Sequence, residues 1–316
     1  MYKILIIGAG QLGSRHLQGV LRSEHTLQVT VVDTSSISLV NAEQREKEVI
    51  VGNLKTRVLY FNQIPIQEEY DVLIIATTAS VRAMVTEEVL KKNKVKHIIF
   101  EKVLFQKLED YHRVSVLLNK HDTQGWVNCP RRIYPMYQQL KELLGGEQWM
   151  NMELTGDGWG LACNSIHFAD VYAYITSARD FDFSTKDLVK KKLQSKRDGY
   201  YEALGELHCK TEKGNFKLIC SQNKGMSCSI VLKTTNYDVY INELEGFYKY
   251  QYDGITVRAE HKTLYQSELS GVNIDELIKF NESSLTSFEE SCSIHIPFIE
   301  AMQTHFELSL GEKLSA

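Results

Sequence analysis

The sequence predicts an α/β fold in two parts. A doubly wound parallel sheet comes first, and an α+β domain with a largely antiparallel open sheet follows. Three observations carry this prediction. A glycine-rich turn, Gly8-Ala9-Gly10-Gln11-Leu12-Gly13, separates a wholly apolar run from a helical segment. Strand-like and helix-like segments then alternate with short links to about residue 125. From Met150 onward, short runs of period two take over, with hairpin turns between them. The domains are therefore expected at 1–125 and 126–316, with the C-terminal helix packing back toward the first, and a chain of 316 residues is long enough for two.

Ile4-Leu5-Ile6-Ile7 is apolar throughout, as a strand buried on both faces requires. Ser14 to Leu21 reads as the helix after the turn. In that spacing Gly8 makes the tight turn, Gly10 lets backbone approach a pyrophosphate, and Gly13 lets helix pack on strand. The free N–H groups at the helix start, with Gln11 and Leu12 on the turn, then face the phosphates. A second strand, Val29 to Val32, ends at Asp33, 20 residues after Gly13. An acid there accepts hydrogen bonds from ribose hydroxyls and repels a 2′-phosphate. The stretch reads as a dinucleotide site that prefers NAD to NADP.

The next segments keep the alternation. Ser36 to Glu48 is a helix, and Val58 to Phe61 and Asp71 to Ala76 are strands. Thr77-Thr78-Ala79-Ser80 is a small-residue loop before a helix from Val81 to Lys92. Lys96 to Phe100, Leu108 to Lys120 and Gly125 to Asn128 add strand, helix and strand. Ligands of such a sheet bind at the carboxyl ends of the strands. The sequence places Gly8, Asp33, Thr77, Glu101-Lys102 and Asn128 there.

In the second half Met152 and Leu154, Leu207 and Cys209, Phe216, Leu218 and Cys220, Ile230 and Leu232, Val239 and Ile241, and Ile255 and Val257 alternate as half-buried strands do. Glu212-Lys213-Gly214-Asn215 and Asp253-Gly254 supply hairpin turns. Two helices interrupt these strands. One runs from about Asn164 to Ser177, and the other is long and C-terminal, opened by a capping box at Ser287/Glu290 or Thr286/Glu289. His295 lies on the apolar stripe of the second and reads as a hydrogen-bonded core histidine, and Pro297 is expected to kink that helix.

Composition narrows the function classes. Hydrophobic content of 43% and charged content of 24% suit a folded chain with a full core. A net charge of −4 without a basic run offers nothing to nucleic acid or an anionic membrane. No stretch is long and apolar enough to span a bilayer, and the first residues read as a strand rather than a signal peptide. The six cysteines, at 129, 163, 209, 220, 228 and 292, form no Cys-x-x-Cys pair. That pattern points away from zinc and toward reduced thiols in a cytoplasmic protein.

Taken in order, the motifs are GAGQLG at 8–13, Asp33, Ala76-Thr77-Thr78, Glu101-Lys102-Val103, Asn128 with Arg132 and Pro135, and a helix carrying His167-x-x-Asp170. On these the chain resembles the glucose-fructose oxidoreductase / inositol dehydrogenase / MocA (Gfo/Idh/MocA) family along essentially its whole length. The resemblance implies a Rossmann domain, then an α/β domain whose open sheet serves a homodimer or homotetramer. It also implies NAD(P)-dependent hydride transfer at a carbon of a sugar, polyol or nucleotide-sugar. Lys102 corresponds to the family lysine that reaches the reacting hydroxyl, and His167 to the histidine of the Asp-x-x-x-His helix. Thr77, Thr78, Arg82, Glu101 and Lys102 fall on the cofactor side. The sequence departs from the pattern at three places. Val103 replaces a proline, so a trans bond or a slightly displaced Lys102 is expected, because a cis bond before a non-proline residue costs about 3 kcal/mol. Cys163 stands where the helix motif has aspartate, and Arg82 where many relatives have histidine.

The same residues make chemical sense by themselves. Removing hydride from an alcohol needs a base for its proton and a donor for its oxygen. Lys102 can polarise the oxygen, and His167 can move the proton near neutral pH. Asn164, His167, Asp170 and Tyr174 recur at three and four, so one helix face presents several polar groups. Asn164 and Asp170 are assigned to the substrate. With them go Arg131, Arg132 and Tyr134, which suit a sugar, carboxylate or phosphate, and Trp159, which can stack on a sugar ring. Cys163 reads as a small buried hydrophobe. The leading function is an NAD-dependent oxidoreductase for a small sugar-type molecule. A redox-neutral sugar-modifying enzyme that retains its NAD and a catalytically inactive NAD(P)-binding regulator are the alternatives.

Overall fold

Four consecutive apolar residues, Ile4 to Ile7, lie at the centre of a parallel sheet and are almost wholly inaccessible to solvent. A computed structural model describes residues 1–195, 199–222, 225–308 and 312–315 of the chain. It divides into two units, Met1–Asn128 with Leu264–Glu289, and Cys129–Thr263 with Glu290–Ala316.

The first unit begins with β1 (Tyr2–Ile7), α1 (Gln11–Val20), β2 (Leu27–Val32), α2 (Ser36–Glu46), β3 (Arg57–Phe61) and β4 (Glu69–Ile75). It continues with α3 (Ala79–Lys92), β5 (Lys94–Glu101), α4 (Leu108–Lys120) and β6 (Gln124–Asn128). The strands pair in parallel in the order β6-β5-β4-β1-β2-β3. Ile4 to Ile7 pair with Val72 to Ile75 on one side and Val29 to Val32 on the other. Strand order reverses between β1 and β4, which opens a crevice at the carboxyl ends of those strands.

The second unit carries α5 (Pro135–Leu144), β7 (Met150–Asp157), α6 (Leu161–Thr176), β8 (Asp182–Leu188), β9 (Leu193–Gln194) and β10 (Tyr200–Glu202). After them come β11 (Gly205–Thr211), β12 (Gly214–Cys220), β13 (Ser227–Lys233), β14 (Tyr237–Asn242), β15 (Phe247–Tyr252) and β16 (Ile255–Glu260). Eight of these strands form one sheet in the order β16-β15-β14-β13-β7-β12-β11-β8. Every pair is antiparallel except β7 with β12. Met152, Leu154, Phe216, Leu218, Ile230, Leu232, Val239 and Ile241 are buried on one face, whereas Ile255 and Val257, expected to continue the pattern, are exposed because β16 is the edge strand. The other face is polar: Asn151, Glu153 and Thr155 are exposed, and Lys217 lies 3.1 Å from Glu153 and 3.7 Å from Glu206. Both expected hairpins form, and Asp253 and Gly254 take the positive φ values (47° and 75°) of a primed turn.

The segment 264–289 departs from the sequence reading, which put all of 126–316 in one domain. It holds α7 (Gln266–Phe280) and β17 (Thr286–Ser287), and β17 adds an antiparallel edge to β6. The sequence reading contains no helix here. Gly271 and Asn273 lie mid-segment and have weak helix propensity. Packing supplies what propensity lacks. A Cβ on Gly271 would lie 2.6 Å from Gly19 O, and one on Gly19 would lie 2.8 Å from Ser270 Cβ, so α1 and α7 meet backbone to backbone. The chain then continues through α8 (Phe288–Phe306), which contains Pro297, to β18 (Lys313–Leu314). His295 is buried, and its Nδ1 lies 2.9 Å from Ser291 O and 3.1 Å from Ser291 Oγ, as a core histidine requires. No helix among the described residues is long and apolar enough to cross a membrane.

Candidate functional site

In the first unit the site is the turn between β1 and α1. Gly8 has φ +95°, and a Cβ on it would lie 2.9 Å from the Ala76 carbonyl carbon. A Cβ on Gly13 would lie 1.6 Å from Gly8 O. Gly10 differs from both, since a Cβ there would meet nothing within 4 Å. Two glycines are thus required by packing, and the third faces open space at the start of α1. Gln11 and Leu12 are exposed on the same turn. Asp33 ends β2 and ties the turn down: its Oδ2 accepts from Ala9 N at 2.7 Å and its Oδ1 from Ser35 N at 2.8 Å.

This geometry fits a bound dinucleotide. Gly10 leaves room for a pyrophosphate against the amides of α1, and Asp33 closes β2 beside that turn. Two buried polar atoms at the carboxyl ends of β4 and β6, Thr77 Oγ1 and Asn128 Oδ1, have no hydrogen-bond partner among the described residues. Buried polar groups are normally satisfied, so such atoms are suited to a ligand. Thr78 is exposed at the N-cap of α3, with its hydroxyl 3.2 Å from that of Ser80.

Two residues assigned to the cofactor turn inward instead. The Glu101 carboxylate is buried, with Oε1 2.7 Å from His16 Nε2 and accepting from Asn128 Nδ2 at 2.5 Å. His16 Nδ1 lies 2.9 Å from Ser270 Oγ, and Gln266 accepts from Asn128 at 2.7 Å. Desolvation pushes the Glu101 carboxyl upward, but the bonds and charge of His16, the bond from Asn128 and the charge of Arg82 outweigh it and hold the group below its ordinary value. Arg82 is buried too, and donates to the carbonyls of Val103, Leu104 (2.7 Å) and Thr77 (2.6 Å). Its guanidinium therefore clamps the loop after β5 rather than facing a ligand. The Lys102–Val103 bond in that loop is cis, not trans. The expectation weighed local preference alone, whereas here Val103, Leu104 and Phe105 are all fully buried. Lys102 itself is half-buried. His16, Gln266 and Ser270 had no signal in the sequence, because their roles arise from the pairing of α1 with α7.

In the second unit the site is the first half of α6. Among its first ten residues only Cys163, Asn164 and His167 escape full burial, and Tyr174 continues the same face one heptad on. Asn164 Nδ2 donates to Trp159 O at 2.5 Å, and Asn164 N to Gly160 O at 2.8 Å.

The remaining residues assigned to substrate have structural work. Trp159 is 4% exposed, lies edge-on to Phe168 and donates from Nε1 to Ile219 O at 2.8 Å, so it is a core residue and not a stacking platform. Asp170 is 1% exposed and grips Arg132 through two bonds of 2.8 Å, and Arg132 also reaches Glu290 at 2.7 Å. Arg131 forks onto Glu243 through two bonds of 2.8 Å, and Tyr137 donates to the same carboxylate at 2.5 Å. Tyr134 is buried, its ring 5.6 Å from that of His261. A fork that matches a carboxylate on a ligand matches an internal one equally well, and sequence alone does not separate the two.

The glycine turn, the acid closing β2 and the strand order together define an NAD-binding Rossmann domain of the oxidoreductase kind. Residues 2–129 match the Gfo/Idh/MocA family model, described as oxidoreductase family, NAD-binding Rossmann fold. No curated protein matches the chain in sequence. Solved structures show the same fold over nearly the whole length. The UDP-N-acetylglucosamine 3-dehydrogenase of Acidithiobacillus ferrooxidans superposes with TM-score 0.72 at 11% identity, covering 95% of this chain and 96% of that one. The scyllo-inositol dehydrogenase of Lactobacillus casei, solved with NAD(H) and scyllo-inositol, gives 0.68 at 16% identity, covering 97% of each. An oxidoreductase of Agrobacterium radiobacter in complex with NAD+, L-tartaric acid and magnesium gives 0.72 at 13% identity, covering 97% and 96%.

Proposed function

We propose that the protein is an NAD-dependent dehydrogenase that exchanges hydride with a carbinol carbon of a polyol, sugar or nucleotide-sugar. The observation that supports this reading is that one chain carries both a dinucleotide turn in its first unit and, in its second, an α6 among whose first ten residues only Cys163, Asn164 and His167 escape full burial. Bound NAD supplies the hydride acceptor. Lys102 holds and polarises the reacting oxygen as a cation, His167 takes up its proton, and Asn164 bonds a neighbouring hydroxyl. Lys102 lies at the carboxyl end of β5, where a side chain reaches ligands of such a sheet. The substrate classes acted on by the inositol and UDP-N-acetylglucosamine dehydrogenases support polyols and nucleotide-sugars as first candidates. Self-association through the open face of the eight-stranded sheet belongs to the same proposal. Because that face bears ion pairs, we expect its dimer to weaken with salt.

The direct experiment is to incubate the protein with NAD and scyllo-inositol, myo-inositol, D-glucose or UDP-N-acetylglucosamine and record NADH at 340 nm. Sustained NADH formation with one of them supports the reading. Retained nucleotide without turnover across a wide panel counts against it.

Two variants separate the roles of the glycines. Gly13→Ala forces its methyl onto Gly8 O and should lower stability by about 2 kcal/mol. Gly10→Ala meets open space, so its melting temperature should match wild type while NAD affinity falls about tenfold. Equal melting temperatures for the two variants would refute this division. Asp33→Ala should shift selectivity from NAD toward NADP. An unchanged NAD:NADP ratio of kcat/KM in that variant would move the ribose away from Asp33.

A further inference from the structure

Glu202 is a buried carboxylate to which the site described above gives no task. It ends β10, is 7% exposed, and lies 40 residues in sequence from the helix it touches. Its Oε1 accepts from Ala162 N and from Ala203 N at 3.0 Å, and the carboxylate also accepts from Cys163 N and the Ser315 hydroxyl. Ala162 and Cys163 belong to the first turn of α6, whose N–H groups have no partner within the helix. Gly160 caps that helix at φ +76°, and a Cβ on it would lie 3.3 Å from both Glu202 Oε2 and Asn164 Nδ2. Carboxylate and amide therefore flank one residue.

Glu202 is itself held by a second element. Strand β18 pairs in parallel with β10, Lys313 opposite Tyr200 and Leu314 opposite Tyr201. Lys313 N donates to Gly199 O at 3.0 Å and Ser315 N to Tyr201 O at 2.8 Å. Leu314 is wholly buried, and Lys192 donates to Glu312 at 2.7 Å. Residues 312–315 thus form a strap that fixes β10, and through Ser315 they also touch the Glu202 carboxyl.

We propose that Glu202, locked in place by the strap 312–315, is a positioning residue that sets the first turn of α6 and so the direction in which Asn164 and His167 are presented. The proposal rests on the reading of Asn164 and His167 as substrate-facing groups. A carboxylate at a helix start stabilises it through the partial positive charge there, and one that gathers several N–H groups also fixes their direction. Burial raises the Glu202 carboxyl above its ordinary value, although the N–H groups pull it the other way. The cost of burying this acid is therefore only partly offset, which argues for a task beyond packing.

The test uses the whole chain, with Glu202→Gln, Ser315→Ala and His167→Ala beside wild type. Hydrogen–deuterium exchange is followed by mass spectrometry, and turnover with whichever probe in the NADH assay is oxidised. In Glu202→Gln, exchange at residues 161–166 should quicken about tenfold while β1 and β12 exchange as in wild type. kcat should fall about tenfold or more, with KM for NAD within twofold of wild type. Ser315→Ala should give the same pattern in weaker form, and it provides a variant should Glu202→Gln fold poorly. Wild-type exchange at 161–166 in both variants overturns the proposal, and so does fast exchange with undiminished kcat. If His167→Ala turns over at the wild-type rate, the reading of the site fails instead, and the exchange data still decide whether Glu202 anchors the helix.

Discussion

Replacing Lys102 with alanine is expected to lower kcat about a thousandfold while NAD affinity stays within a few-fold of wild type. An ammonium that polarises the reacting oxygen acts mainly in the transition state, and removing such a donor typically loses two to four powers of ten. The fold should tolerate the change. Val103, Leu104 and Phe105, not Lys102, form the buried part of the loop, and Arg82 rather than Lys102 holds its carbonyls. The measurement is steady-state NADH formation, with dinucleotide affinity determined separately by NADH fluorescence. Wild-type turnover in Lys102→Ala would remove the cation from the chemistry and leave an NAD-binding protein whose reaction, if any, is carried elsewhere.

The second large effect is on stability. Arg132→Leu should destabilise the protein by about 3–5 kcal/mol, because it leaves Asp170, 1% exposed, as an uncompensated buried charge. Arg132→Leu combined with Asp170→Leu should recover much of that loss, as replacing a whole buried pair by apolar side chains often does. Urea unfolding of both variants and of wild type gives the comparison. Unchanged unfolding in Arg132→Leu, together with a raised substrate KM, would return Arg132 to the ligand.

The third partner makes this cluster pH-sensitive. Desolvation acts upward on the Glu290 carboxyl, but bonds and charge from Arg132 and Arg179 prevail and lower it below its ordinary value. A carboxyl depressed in the folded state adds stability above its unfolded pKa, and that contribution is lost as pH falls through the folded value. The difference in stability between wild type and Glu290→Gln should therefore shrink as pH drops below about 4.3.

Much of the first unit was legible because its signals are local. The run Ile4 to Ile7, the spacing of three glycines and an acid at the end of β2 are each fixed by neighbours in the chain, and the structure places them as strand, turn and tether. The polar face of α6 was legible in part: helical spacing puts Asn164, His167 and Tyr174 on one side, but the sequence reading adds Asp170, which is buried, and takes as buried Cys163, which is only partly so. The errors concern residues that have two uses. The sequence assigns Arg131 and Arg132 to a ligand because they follow a strand end, Asp170 by helical spacing, and Glu101 and Arg82 by the family resemblance. Each is instead engaged by a group that no local pattern reveals: Glu243, Asp170 with Glu290, Arg132, His16 with Asn128, and the loop after β5.

The sequence by itself determined the class of fold, the dinucleotide turn and the helix that carries His167, all through periodicity and spacing over fewer than about 40 residues. Only the tertiary structure decided which charges are consumed inside. It also decided that 264–289 folds with the first unit, and that the acid at the start of α6 comes from β10. The physical reason is that a hydrogen bond or ion pair depends on distance in space. The partners of His16, Arg131 and Arg132 lie 38 to 254 residues away along the chain.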